Sequence, residues 1–281
     1  MEEKLLTLNE SIEWIKDGDV VAIGNQKPMA IVREIIRQKK KNLTIYLMMG
    51  GFEVDMLCAA GCVSEIHAIF VMPDVAPHFR RVVQAGVVRM IDEGEAPLHL
   101  CILAGSMGVP FIPLKGYYND IVTVHPQWER FKSPLGDEEL LAIPALIPDV
   151  AILHLPRADI YGNVQSEDIF TYDRVMAWWD KRIAMAAKKT IVSVEEIIDN
   201  KQIRANPERT FIPFYEVDAV VEALRGGHPS AIPGSYDADM THVTKYIQAC
   251  QDDGVYKAYL DKYVYGTKDN NEYLAFIDAD V

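Results

Sequence analysis

The chain has 281 residues, 49% of them hydrophobic and 25% charged, the composition of a soluble globular protein with a sizeable core. Its formal net charge of -13 argues against a nucleic-acid partner, because phosphate binding needs basic surface. Four cysteines do not make a disulfide framework in a chain this long, and the acidic start MEEKLLTLNESIEW is neither signal peptide nor membrane span, so a cytoplasmic protein without membrane contact is expected.

Thr7 to Glu10 fits a capping box, a hydroxyl at the N-cap and a carboxylate three residues on, and Leu8, Ile12 and Ile15 then fall on one helical face. Gly18 suits the left-handed stop after such a helix. Val20 to Ile23 reads as a buried strand, followed by Gly24, Asn25, Gln26 and Lys27 and by Pro28, a good first helical residue. Ile31, Val32, Ile35 and Ile36 make the apolar face of that helix, whose N-terminus could hold an anion, although the phosphate-loop spacing is lacking.

Leu43 to Met48 is the next predicted strand and ends at Gly50-Gly51, a pair that permits either a tight turn or close approach by a ligand. Cys58 and Cys62 are four apart and, with His67, could form part of a metal site; two small buried residues are the favoured alternative, since no second ligand pair follows, and no metal is expected. Ile66 to Met72 is a strand, Phe79 to Val83 a helix closed by Gly86, and Val87 to Ile91 a strand again. From Leu98 to Met107 the chain is apolar all round, a buried helix with Pro97 in its first turn and Glu95 just before its start. Glu95 reads either as helix-start electrostatics or as a carboxylate at the mouth of a cleft.

Residues 116 to 148 have the least regular pattern, rich in proline and in aromatics (Tyr117, Tyr118, Trp128, Phe131), and are expected to form a surface excursion, with Leu140 to Ile143 a short strand. Next comes DVAILHLPRADIYGNV, Asp149 to Val164: a buried strand that either delivers a polar loop to a site or simply exits into a turn at Gly162-Asn163. Val175, Trp178, Trp179 and Ile183 line a helix, and two adjacent tryptophans cannot both face one core. Thr190 to Val194 and Val217 to Ala223 are the last strands. A turn-rich loop from Arg225 to Ser230 follows, and from Met240 two helices are expected to pack on one end of the sheet.

Apolar strands alternating with helices predict an α/β fold, an open, mostly parallel sheet with helices on both faces. The chain is read as a single domain over 1–281 with a helical part from about 240, since it contains no linker or repeat. It carries no dinucleotide fingerprint, nucleophile elbow or HExxH motif.

In that order, several short pieces resemble the α subunit of two-subunit family I coenzyme A-transferases of the glutaconate CoA-transferase type. They are Asp17-Gly18-Asp19, Lys27-Pro28-Met29-Ala30, Gly50-Gly51, Gly108 to Pro113, Asp159 with Gly162-Asn163, Val194 to Ile198, Val217 to Val221 and Gly227 to Ser230. The chain is also similar to the α subunit of the steroid-ring-cleaving CoA hydrolase. The resemblance implies a CoA-transferase fold, a β partner in an α2β2 or larger assembly, acyl-CoA and carboxylate substrates, and coenzyme A as co-substrate with no bound cofactor. In the transferases the partner's glutamate attacks the thioester; an anhydride and a glutamyl-CoA follow. Ser166-Glu167-Asp168 superficially resembles the partner's Ser-Glu motif but follows a turn, and reads as loop polarity.

The implied substrate-binding residues are Gly24, Asn25, Lys27, Gly50, Gly51, Asp159, Asn163 and His228. There are two departures from the transferases. Gly24-Asn25-Gln26 is shorter than their usual loop, and Glu93 to Pro97 resembles the hydrolase, whose α-subunit glutamate serves the reaction. Counted ungapped from the helix, that glutamate is Glu95; matched by tripeptide, it is Glu93; Glu95 is preferred. A non-catalytic acyl-CoA-binding subunit is the reading from a different class, because no nucleophile has an adjacent base. Trp178-Trp179 and the 117–131 region are the expected partner contacts.

Overall fold

A computed structural model describes residues 2–116, 120–166 and 174–279. Tyr117, Tyr118, Glu167, Asp168 and the side chain of Val175 lie outside the described residues. The strands are β1 (Val20–Ile23), β2 (Leu43–Gly50), β3 (Val63–Val71), β4 (Arg89–Asp92), β5 (Phe111–Leu114), β6 (Glu129–Lys132), β7 (Glu139–Pro144), β8 (Val150–Ala158), β9 (Val164–Gln165), β10 (Lys189–Ile197), β11 (Thr210–Ile212) and β12 (Ala219–Glu222). The main sheet runs β12-β10-β8-β1-β2-β3-β4, every neighbour parallel, with the short antiparallel pair β9 and β11 added where β8 outruns β1.

Both faces of the sheet are covered, which is why its strands are apolar at consecutive positions rather than alternating. On one face lie α1 (Leu8–Ile12), α2 (Met29–Arg37), α3 (Phe52–Ala59) and α4 (Pro77–Gln84), packed on Val21, Ile45, Ile66 and Ile152. On the other lie α5 (Glu95–Met107) and α6 (Arg174–Ala186), packed on Ala22, Met48, Leu153 and Val192. Trp179 is fully buried there and donates its indole N–H to Ile23 O at 2.9 Å. Its neighbour Trp178 is half-buried, edge-on to His99, so adjacent positions on one helix hold a core tryptophan and a rim tryptophan.

The capping box forms as the sequence predicts, Thr7 Oγ accepting from the Glu10 amide while Glu10 accepts from the Thr7 amide. Three expectations shift. α2 begins at Met29, with Pro28 outside it as the cap. The irregular 116–148 region holds its own antiparallel sheet, β5-β7-β6. After α7 (Asn200–Ala205), the C-terminal helices α8 (Met240–Ala249), α9 (Asp253–Leu260) and α10 (Asn270–Ala279) form an outer layer on α2 and α3 rather than on the sheet end. Arg33 and Arg37 of α2 bond Asn270 Oδ1, Thr267 Oγ1 and Val264 O, and Tyr246 stands edge-on to Phe52 of α3 at 4.9 Å.

From β1 the chain winds outward through β2, β3 and β4, and from β8 it winds the opposite way through β10 and β12. The strand order therefore reverses between β1 and β8, and open α/β sheets bind ligands outside the carboxyl ends of their strands at such a reversal.

Candidate functional site

The loop leaving β1 forms the floor of that crevice. A Cβ on Gly24 would sit 2.6 Å from Leu153 Cδ2 and 3.2 Å from Asp180 Oδ1, so only glycine lets α6 bring Asp180 this close. Asp180 accepts the Asn25 amide at 2.6 Å. Burial pushes its carboxyl up to about 7, against the opposing pull of the Asn25 and Gln26 amides and Lys27. Asn25 Nδ2 reaches Met48 Sδ at 3.4 Å. Lys27 pairs with buried Glu53 at 2.7 Å and donates to Met49 O, so its charge is already matched within the chain and no bare anion site results. Gly51 donates to Glu53 Oε1, whereas Glu53 Oε2 and Gln26 Oε1 are buried with no hydrogen-bond partner among the described residues. A donor on a ligand could satisfy both.

Gly50 and Gly51 have ordinary negative-φ or extended backbone; the need for glycine comes from packing. A Cβ on Gly50 would meet Val54 Cγ2 at 2.9 Å and Val71 Cγ2 at 3.0 Å, and one on Gly51 would meet Met72 Cε at 3.1 Å. The tight junction of β2 and α3, already close-packed, accounts for the pair.

A second cluster lies on the α5 side of β2, β3 and β4. Met48 and Tyr46 share this face, two residues apart on β2, and Tyr46 stacks on His67 with ring centroids 4.1 Å apart. Burial and the nearby Glu93 push the Tyr46 phenol up, keeping it a neutral hydroxyl. His67 Nε2 is 2.7 Å from Glu65 Oε1, and His67 Nδ1 bonds Glu93 Oε1. Arg89 donates to Glu65 Oε2 at 3.0 Å. His125 Nδ1 stands 3.7 Å from Glu93 Oε2, too far for a hydrogen bond, while His125 Nε2 is 2.9 Å from Asp92 O. A carbonyl only accepts, so His125 Nε2 carries the proton. Trp128 stacks on His125 at 3.8 Å and fixes its plane. Glu93 is 4% exposed. A cleft of ≈ 420 Å³, lined by Tyr46, Glu65, His67, Arg89, His125 and Gln127 among others, opens beside this row.

Glu95, the preferred glutamate from sequence, is the first residue of α5 and exposed. Glu93 is buried between two histidines. Neither His67 nor His125 was legible as part of this group. They lie 26 and 32 positions from Glu93, and only the parallel pairing of β3 with β4 (His67 beside Ile91) and the fold-back of the 125 segment unite them.

The other predicted residues are engaged elsewhere. Asp159 is fully buried, accepting from the Tyr161 and Asn163 amides, Asn163 Nδ2 and Asn200 Nδ2 at 2.6–3.1 Å. It anchors its own turn, which favours the turn-exit reading of Asp149 to Val164. Asn163 Oδ1 receives the Phe214 amide. His228 is buried against the C-terminal helices, Nδ1 2.7 Å from Tyr273 Oη and Nε2 3.1 Å from Asp239 Oδ2. Cys58 closes α3 while Cys62 precedes β3, and His67 is taken up by carboxylates, so those three do not assemble. Asp55, His78 and Cys250 do lie together, ligand atoms within 4.8 Å. Asp55 there already accepts from Tyr246 Oη and the Phe79 amide and contacts His78.

The coenzyme A transferase family model matches residues 5–223. A protein of Archaeoglobus fulgidus is 36% identical over 271 residues; the match covers 93% of this chain but only 59% of that relative's length. Similar at 33% identity over 269 residues is a subunit of 3-oxoadipate CoA-transferase from Pseudomonas knackmussii, with 92% of each chain covered. The cholesterol ring-cleaving hydrolase IpdA subunit of Rhodococcus jostii is 27% identical over 275 residues, covering 92% of this chain and 90% of its own. The crystal structure of glutaconate coenzyme A-transferase from Acidaminococcus fermentans superposes with a TM-score of 0.88 at 30% identity, covering 99% of this chain and 93% of that one.

Proposed function

The chain belongs to the coenzyme A transferase family, and from that premise we propose that it is the α subunit of a heteromeric enzyme that moves CoA between an acyl-CoA thioester and a free carboxylate. One observation carries the dependence on a partner: among the described residues the switch-point crevice offers no activated nucleophile. All four cysteines are buried and their thiols pushed up, to about 11 for Cys62 and about 12 for Cys250, so no thiolate forms near neutral pH. A β subunit then supplies the attacking glutamate. Its carboxylate displaces CoA from the thioester to give an anhydride, the thiolate returns to form glutamyl-CoA, and a second carboxylate takes the CoA away. Coenzyme A is co-substrate, and the reaction calls for no resident cofactor. The unpartnered oxygens of Gln26 and Glu53 are sites for donors of the bound substrate.

The test is co-expression with the neighbouring β-subunit gene and an assay of CoA exchange between two carboxylates. Exchange that requires both chains is expected. A folded complex that exchanges nothing, with a partner lacking a Ser-Glu active-site motif, overturns the reading.

The buried Glu93 supports a second reading, a ring-cleaving acyl-CoA hydrolase in which this chain supplies the base. A carboxylate held between two histidines is built more elaborately than helix-start electrostatics need. Here Glu93, rather than Glu95, draws a proton from water or from the carbon acid beside the thioester.

A further inference from the structure

We propose that His67 is the positioning residue for Glu93: a doubly protonated imidazolium that clamps Glu93 Oε1, takes Glu65 as its counter-ion, and leaves Glu93 Oε2 as the oxygen that receives a proton. This rests on the reading of Glu93 as a base and adds which atom reacts and what holds it.

The protons of the row can be counted. His67 faces a carboxylate oxygen from each ring nitrogen, Glu65 Oε1 at 2.7 Å and Glu93 Oε1 closer still. Two ionised carboxylates only accept, so two hydrogen bonds need two N–H groups, and the ring must carry both. The charges then balance along the row: Arg89 and His67 supply two positive charges, Glu65 and Glu93 two negative ones. If the ring held one proton instead, Glu93 would hold the other and could not act as a base. The Tyr46 ring stacked on His67 fixes the imidazole plane. With Oε1 occupied, Oε2 is the oxygen left to react. It faces His125 Nδ1, which is the unprotonated nitrogen because Nε2–H is spent on Asp92 O. A proton taken by Glu93 Oε2 from the substrate is therefore left as a carboxyl O–H pointing at a ring lone pair, an acceptor that stabilises the protonated form without moving His67.

The first measurement needs no substrate. Histidine-¹⁵N-labelled chain in complex with its β partner should show two ring N–H protons on His67, both far downfield. Glu93→Gln should perturb the Nδ1 proton selectively and Glu65→Gln the Nε2 proton. A singly protonated His67 overturns the proposal. The second measurement is kinetic, on the same complex, with acetyl-CoA hydrolysis and acetyl-CoA/propionate exchange as probes. Asparagine places its amide nitrogen near the position of Nδ1, glutamine near that of Nε2. His67→Gln should lower kcat more than about tenfold with KM unchanged, less than the ~10²–10⁴ that a lost base costs, and His67→Asn should recover most of it. Equal behaviour of the two variants, or a loss confined to KM, overturns the positioning role. Full activity of Glu93→Gln removes the base reading itself, and a doubly protonated His67 seen alongside it would mark the clamp as structural only.

Discussion

Glu93 and Glu95 are two residues apart and face opposite surroundings: Glu93 is buried between His67 and His125, and Glu95 stands exposed at the first turn of α5. Gly94 makes the difference possible. Its φ of 65° and ψ of 147° turn the chain sharply between β4 and the helix, a conformation that side-chain-bearing residues avoid. The two glutamates therefore separate cleanly by mutation. Glu93→Gln in the assembled enzyme should cost about 10²–10⁴ in rate if Glu93 is a base. Glu95→Ala should leave the rate intact and cost about 0.3–1 kcal/mol through the helix dipole, read as a small fall in Tm. The reverse pattern would restore the ungapped alignment.

Gly105 of α5 should not tolerate a methyl group. A Cβ there would lie 2.0 Å from the Leu146 carbonyl oxygen, which is backbone and cannot rotate away. Gly105→Ala should destabilise by about 1–3 kcal/mol despite alanine's better helix propensity. Denaturant unfolding measures it, and a stabilised variant would contradict the packing of α5 on that segment.

Asp159 is expected to matter for stability rather than turnover. Four donors converge on it, so Asp159→Ala strands several buried N–H groups at about 1–3 kcal/mol each. Lowered Tm with an unchanged KM for acyl-CoA is the expected pair of results. A stable variant with weakened substrate binding would return Asp159 to the site.

Stability should fall in mild acid because of His242. Burial, reinforced by His228 and opposed by Asp239, lowers its ring from the ordinary 6.5 to about 4. Between those values the unfolded chain binds a proton that the folded chain refuses, so stability is present above about 6.5 and is lost as pH falls towards 4. The loss is on the order of 3 kcal/mol. His242→Gln cannot take the proton, and its unfolding free energy should be flatter over that window. An equally steep fall would shift the cause to other groups.

Expressed without a partner, the chain should self-associate. Leu135 is 97% exposed, and Phe111, Val124 and Ile147 are exposed close to it in sequence. Trp179, one of the sequence's expected contacts, is in the core and cannot serve, which leaves Trp178 and the 120–147 region. A soluble monomer at micromolar concentration, by analytical ultracentrifugation, would contradict this.

The sequence by itself determined the fold class, because that information is local. Apolar runs such as Val20–Ile23 and Val150–Leu155 mark strands buried on both faces, and the Thr7–Glu10 box and the apolar stripe of α2 are written within one or two helical turns. The Glu93-Gly94-Glu95 tripeptide likewise narrowed the acid to two residues. What the tertiary structure alone decided is which side chains meet. His67, Glu65 and Glu93 are united by the lateral pairing of parallel strands, whose partners are separated by whole helices, and His125 by a segment with no regular pattern. Asp159 and His228 carry polar groups that sequence can only tag as available; their hydrogen bonds to Asn200, Tyr273 and Asp239 come from across the fold. Periodicity reports which face of an element is buried, but a hydrogen bond depends on distance and direction between groups remote in the chain, and only the packed sheet and its helices fix those.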